Sequence, residues 1–347
     1  MHSPNLFSFA TSELTQDAFL AYLIAWADPG QAEHDPAMHQ AGMAFLRLLM
    51  DQHGLHLSTP TAVKVEVQRL NIDVLAYVTF SDAPPVLFVI EDKVHAGSYN
   101  ELDKYLANGK KLYPDPEVVV RGIYLRTGNQ ADYSAIEAEK FRVIDRRTLL
   151  VYLQDEATGN PPDTIFQNYK AYLEAYQQRL DAYQDKPVQE WDGDAWVGFF
   201  SQQLLPNRDL LFKDYGYVAN RSGGFQGAWW LPDDCPRFRG YIVYLQIDGS
   251  IAAKAPSRIA IKLKTVNKKM ADAQGIDRTG LVRELADMIA AHPEAPALNS
   301  SRPKRLSPGR WMTAAEVRLN RGSPCGTADE LLQLLRKLQH FVLRLGV

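Results

Sequence analysis

Between Asn71 and Lys93 the chain reads NIDVLAYVTFSDAPPVLFVIEDK, and few local structures accommodate that pattern. Ile72, Val74, Ala76 and Val78 alternate with Asp73, Leu75 and Tyr77, the period of two that a strand requires. From Val86 onward the same period puts Leu87, Val89, Glu91 and Lys93 on one face and Phe88, Ile90 and Asp92 on the other. The connection SDAPP holds an aspartate and two prolines, which end strands and form turns, so an antiparallel hairpin is expected. A turn centred on Asp82 sets Asp73 across from Glu91, with Cβ atoms roughly 4.5–5.5 Å apart.

Two carboxylates that close within an apolar run repel each other and lose hydration, which is costly unless a cation or a proton lies between them. A hard divalent ion is the simplest remedy, because Mg²⁺ takes one or two carboxylates, keeps several waters and accepts phosphate oxygens. Lys93, on the face of Glu91, then supplies positive charge beside a reacting water or phosphate.

Asp73 followed by Glu91 and Lys93, on strand-turn-strand with a helix after, resembles the PD-(D/E)XK (restriction-endonuclease-like) nuclease superfamily. Ile72 stands where a proline is usual. SELTQDAFLAYLIAWAD resembles the amino-terminal helix of bacterial members, whose acidic residue, here Glu13, joins the metal site. ELDKYL resembles the Gln-x-x-x-Tyr element of the exonuclease-like branch, with Tyr105 matching the tyrosine and Glu101 in place of the glutamine, both on the substrate side. The resemblance covers about the first half of the chain. It implies an α/β fold, a mixed central sheet flanked by helices. It further implies Mg²⁺, with Mn²⁺ substituting, held by Glu13, Asp73, Glu91 and the main-chain carbonyl of Asp92, whose side chain turns away. Asp73, Glu91 and Lys93 are the implied catalytic residues, and the implied reaction is hydrolysis of nucleic acid, DNA favoured over RNA. Bacterial members with an appended domain serve in restriction, repair or phage defence. The alternative is a nuclease-fold protein that binds nucleic acid or a protein partner without cutting.

Across 347 residues, 46% of them apolar, two domains are expected: 1–186 as the nuclease domain and 187–347 as a smaller α+β accessory domain for nucleic-acid binding or sensing. No run of eighteen apolar residues and no basic stretch before an apolar one occurs at the amino terminus, so a cytoplasmic protein without membrane contact is expected. The two cysteines, Cys235 and Cys325, are too few and too separated for a disulfide framework. Homo-oligomers are left open.

Charge is unevenly divided. Residues 1–155 carry 13 Lys and Arg against 20 Asp and Glu, while Lys254 to Arg321 carries 14 against 6, a basic surplus of eight. Such a surplus suits contact with a phosphate backbone or simply forms a solvated face. Alternation of Ile259, Ile261 and Leu263 leaves Lys262 and Lys264 on one outward face, with Lys268 and Lys269 just beyond, as the candidate phosphate contacts.

The spacing predicts helices over Leu14–Trp26, with Leu14, Ala18, Ala21, Tyr22 and Ala25 as its apolar positions, and over Ala37–His53, ended by Gly54. It also predicts helices at Tyr99–Leu112, Thr148–Leu153 and Ile165–Tyr183. Val63, Val65 and Val67 mark a first strand, Glu117–Thr127 a central one and Phe141–Ile144 another. Glu13 is otherwise a charge that stabilises the helix dipole, Glu66 a structural or substrate-side polar residue with a third metal carboxylate as the alternative, and His95 a turn residue. In the second half, Phe225–Leu231, Tyr241–Ile247, Arg258–Leu263 and Arg310–Arg318 read as strands, with a turn at Asp248-Gly249. Arg278–Ala291 and Ala328–Leu345 read as helices. Trp229 and Trp230 are read as core, with base stacking as the alternative.

Overall fold

Apolar alternation on both faces of the Asn71–Lys93 hairpin demands a covering layer on each side, and both layers are present in the structure. A computed structural model describes residues 4–10, 12–94, 102–220, 223–252, 256–304, 306, 309–319 and 325–345. The expected roles of His95 and Glu101 fall outside these residues. The chain divides into two compact units, Met1–Tyr176 and Gln177–Val347.

The first unit opens with helices α1 (Glu13–Ala25) and α2 (Pro36–Gln52). Asp35 caps α2 by accepting from the N–H groups of Ala37 and Met38, with Pro36 at the first helical position. Strands β1 (Pro60–Arg69), β2 (Ile72–Phe80) and β3 (Val86–Lys93) run antiparallel, and β4 (Val119–Arg126) and β5 (Phe141–Asp145) add parallel to β3 in the order β1-β2-β3-β4-β5. Helix α3 (Leu102–Leu112) joins β3 to β4, and α4 (Ser134–Ala138), α5 (Arg146–Gln154) and α6 (Thr164–Asp181) follow. The result is a mixed sheet flanked by helices.

Its two faces separate as the period of two requires. Val74, Ala76, Val78, Phe88 and Ile90 join the core formed with α1, α2, α5 and α6. Leu75, Leu87 and Val89 join a second core with Leu102, Ile136 and Phe141. Helix α3 lies so close to β3 that a Cβ on Gly109 would meet Val89 Cγ2 at 2.8 Å. The hairpin register is the one a turn centred on Asp82 requires: Val74 opposes Ile90, Ala76 opposes Phe88 and Val78 opposes Val86.

Helix α1 faces the core with a different side from the one its apolar spacing indicates. Leu14 is 62% exposed, whereas Gln16, Asp17, Phe19, Leu20, Leu23 and Ile24 are buried. The helix is apolar nearly all round, and two of its inward positions are polar because they serve the site, so counting apolar residues picks the wrong stripe.

The second unit adds α7 (Gly193–Phe199), β6 (Phe212–Val218), β7 (Phe225–Trp230), the short β8 (Arg237–Phe238), β9 (Tyr241–Ser250), β10 (Ser257–Lys264), α8 (Lys268–Ala273), α9 (Arg278–Ala291), β11 (Trp311–Leu319) and α10 (Ala328–Arg344). The strands form an antiparallel sheet in the order β11-β10-β9-β7-β6, with β8 paired to β9. Val243, Leu245, Ile247, Ile259, Ile261 and Leu263 turn towards the core shared with α9 and α10. The turn expected at Asp248-Gly249 is instead strand: both residues pair with β7, and the chain reverses after Ser250. Gly249 is required for a different reason, since a Cβ there would come within 2.5 Å of the Trp196 ring.

Gly128, just past β4, holds the end of β3 in place: a Cβ would fall 2.0 Å from the Val94 carbonyl oxygen, and backbone cannot step aside as a flexible side chain can. Gly128→Ala is therefore expected to lower stability by roughly 1–3 kcal/mol, the usual cost of overpacking. A urea midpoint equal to that of the parent protein would contradict this contact.

A candidate active site at the end of strand β3

Acidic residues gather where β2 and β3 run out, because the period of two carries them to the same face as the α3-side core. Asp73 and Glu91 lie one step beyond the last hairpin pair, Val74 and Ile90. Asp73 reaches across to β3, its Oδ2 accepting from the main-chain N–H of Asp92 at 2.9 Å. Glu91 is 5% exposed, and its Oε2 has no hydrogen-bond partner among the described residues.

Lys93 is the cation these acids share. Its Nζ stands 2.7 Å from Glu91 Oε1, 3.7 Å from Asp73 Oδ2 and 3.9 Å from Glu13 Oε2. It also donates to the Asp92 carbonyl oxygen at 3.0 Å. Glu13, from the first turn of α1, accepts from the Val94 N–H at 3.3 Å. Asp73, Glu91, Lys93, Glu13 and the Asp92 carbonyl are therefore brought together.

The electrostatics follow from this crowding. Burial, then the charge of Asp73, raises the Glu91 pKa from 4.5 to about 7, more than Lys93 offsets. Burial works against the Lys93 ammonium, yet its hydrogen bond to Glu91 and the charges of Glu91, Asp73 and Glu13 outweigh it and hold its pKa above the ordinary lysine value.

On the opposite face of β3 is a second acidic pair that the sequence reading overlooked. Asp92 is fully buried and accepts from Gln16 Nε2 of α1. Gln16 Oε1 in turn accepts from the hydroxyls of Thr127, at 2.9 Å, and Tyr169, at 3.1 Å. Asp17, next on the helix, accepts from Gln68 at 2.9 Å. Burial above all, with the nearby acids, pushes Asp17 up to about 6 and Asp92 well above the usual carboxylate range. Asp17 Oδ1 and Asp92 Oδ2 are buried with no hydrogen-bond partner among the described residues. A signal for Asp17 was present: it lies four residues after Glu13, hence on the same side of one helix.

The remaining candidates are dispersed. Tyr105 packs half-buried against the core on the α3 side. Glu66 is engaged by Lys64 at 2.7 Å and by the Tyr113 hydroxyl at 2.9 Å, in keeping with a structural role. Lys262 and Lys264 project from the β10 face opposite its buried isoleucines, as alternation implies, but half-buried in a hollow and not freely outward. Lys268 and Lys269 begin α8 and are exposed.

The oxygen-only donor set of Asp73, Glu91, Glu13 and the Asp92 carbonyl fits a hard divalent ion, and the unpartnered Glu91 Oε2 is a ready donor. Among the described residues no three His, Cys, Asp or Glu side chains form a preassembled cage, and Lys93 lies among the acids instead. No helix among the described residues is long and apolar enough to cross a membrane. Neither family models nor curated proteins nor solved structures provide a match to the chain.

The raised Glu91 pKa gives metal-free stability a definite pH dependence. With the folded value near 7 and the ordinary one at 4.5, the contribution is fully present below 4.5 and is lost as pH rises through 7. His53 acts oppositely: burial lowers its pKa from 6.5 to about 4, so its contribution is lost as pH falls through that window. His53 is common to the parent protein and Glu91→Gln, so their difference isolates Glu91. Thermal melts in EDTA from pH 4.5 to 8 should show the Glu91→Gln protein gaining on the parent as pH rises. Parallel curves would remove Glu91 from the buried cluster.

Proposed function

We propose that the first unit is a metal-dependent nuclease with a restriction-endonuclease-like core, hydrolysing phosphodiester bonds of nucleic acid, DNA before RNA. The observation that carries the reading is the convergence of Asp73, Glu91 and Glu13 on Lys93 at the open end of a hairpin. Burying like charges there is costly, and a purely structural role gives no reason to assemble them.

Asp73 and Glu91, with the Asp92 carbonyl and Glu13, would hold Mg²⁺ or Mn²⁺. When bound, the ion supplies Lewis-acid polarisation of a phosphoryl oxygen and acidifies a water. Glu91 must be ionised to take part, so loading is favoured above pH 7, the region of its raised pKa. Lys93 and the ion compete for the same carboxylates. Once released towards the substrate, the ammonium orients the attacking water and places positive charge where negative charge builds on the phosphoryl oxygens. Its raised pKa suits that cationic role better than that of a base. The attacking water gives up one proton to solvent and forms a P–O bond as the ester P–O bond breaks, and the leaving oxygen takes a proton from solvent.

A second reading has one observation in its favour: Lys93 already lies among the three acids and offsets part of their charge without a metal, as it would in a nuclease-fold protein that binds nucleic acid or a protein partner without cutting. Divalent-ion dependence separates the two. Restriction, repair or phage defence is the setting that suits a nuclease of this kind.

Labelled single- and double-stranded DNA and RNA, incubated with Mg²⁺, Mn²⁺ or EDTA, test the activity. Asp73→Asn and Glu91→Gln should abolish cleavage and weaken calorimetric Mn²⁺ binding while the fold persists. Unchanged metal affinity in both would sink the assignment. Lys93→Ala should bind metal at least as well as the parent, having lost a competitor, yet turn over on the order of 10²-fold more slowly. Full turnover in that variant would refute a catalytic lysine.

A further inference from the structure

Away from the acidic cluster, the second unit contains a cavity of 540 Å³ on the face of its sheet that carries the β10 lysines. Its walls include Trp229, Tyr244, Trp311, Lys262 and Lys264. That volume lies within the range of about 300–1,000 Å³ common to small-molecule sites.

The charge on this face is unbalanced in a telling way. Asp248 and Glu316 are buried acids, but Arg258 binds both, at 2.7 and 3.0 Å, and Arg318 binds Glu316 at 2.8 Å. Gln246, between Tyr244 and Asp248 along β9, is satisfied by both, at 3.3 and 2.6 Å. Two acids and two arginines thus pair off. Lys262 and Lys264 remain without an ion pair among the described residues. Lys262 sits between Tyr244 of β9 and Thr313 of β11 in the strand register. Burial lowers its pKa, and the nearby charge of Asp248, opposed by that of Arg258, does not make up for the lost water.

Aromatic surface surrounds this cation. Trp311 is 55% exposed, and the Arg310 guanidinium lies 4.9 Å from its ring centre, adding positive charge at the rim. A purely apolar occupant would leave Lys262 desolvated and unpaired. A nucleic-acid duplex keeps its ring faces stacked within itself. A ligand that satisfies both halves of the site combines an accessible aromatic ring with an adjoining anion.

We propose that this cavity binds an unstacked nucleotide, its base on the tryptophan rings and its phosphate on Lys262 and Lys264. Two sources share that chemistry: a single-stranded segment of nucleic acid and a free nucleotide. The site goes beyond the proposed nuclease chemistry and does not depend on it, because none of its residues belongs to the acidic cluster.

The test uses the full-length protein in EDTA, so that binding is read without cleavage. Probes are a fluorescein-labelled single-stranded oligodeoxyadenylate, a duplex of the same length, and AMP. Binding is followed by anisotropy for the oligonucleotides and by tryptophan quenching for AMP. The single strand, AMP or both should bind and quench. Trp311→Ala should weaken binding about 5- to 150-fold, the range for loss of one stacked base. Lys262→Gln should weaken it at least 10-fold and lower the log-log salt slope for the single strand by about 0.7 for the lost phosphate contact. The control Lys268→Ala/Lys269→Ala alters only exposed lysines and should keep AMP affinity. Binding of the single strand alone identifies a strand site, and binding of AMP identifies a nucleotide site. Failure of both probes, or equal affinities in the parent, Trp311→Ala and Lys262→Gln proteins, overturns the proposal. Such a failure leaves metal-dependent cleavage, measured separately, unaffected.

Discussion

The site depends on one ammonium group. Lys93 ends a strand that is otherwise buried, and without its charge the buried Glu91, the partly buried Asp73 and the more exposed Glu13 would have no common counter-ion. Nature has two ways to relieve such repulsion, a cation or a proton, and both are present: Lys93 for the cluster as a whole, and a raised pKa for Glu91. The other side of the strand uses the second remedy more heavily, since burial outweighs every stabilising contact of Asp17 and Asp92 and both are pushed upward. One strand end therefore carries a polarised arrangement, an ionic face towards α3 and a face of raised carboxylates towards α1.

Much of this was legible from alternation alone. The register of Asp73 and Glu91 required only the position of the SDAPP turn and the fixed geometry of a hairpin, and Val74 opposite Ile90 is the pair that geometry demands. Helix α1 was harder, because its inward face is defined by what it touches. Gln16 and Asp17 look like surface residues until Asp92 and Gln68 are placed against them. In the second unit Asp248-Gly249 carries a strong local turn signal, yet a tertiary contact overrides it: Trp196 occupies the space a side chain would need, and Asp248 is tied to Arg258. Local chemistry permits a turn there, and packing from a distant helix selects a strand.

Basic residues in the second unit illustrate the difference between composition and placement. A surplus of Lys and Arg between Lys254 and Arg321 reads as one patch, but the structure sorts it into kinds. Arg258 and Arg318 are consumed in neutralising buried acids, Lys268 and Lys269 are solvated, and Lys262 and Lys264 are set among aromatic rings. Net charge along a sequence cannot distinguish a counter-ion from a free cation; strand register does.

Gln16 has a consequence of its own. Its amide has two different ends, and the oxygen end takes hydroxyl donors from Thr127 and Tyr169 while the nitrogen end gives to Asp92. Tyr169 is fully buried, which holds its phenol in the neutral, proton-donating form and so fixes which way round the amide must sit. Helix α1 is consequently keyed to β3, to α6 and to the residue just past β4 by one side chain with a direction, much as a notched shaft accepts a gear in a single orientation. Moving that helix onto another scaffold would require carrying a threonine, a tyrosine and an aspartate with it, so the unit of inheritance here is a four-residue lock drawn from separate stretches of chain, and no contiguous segment contains it.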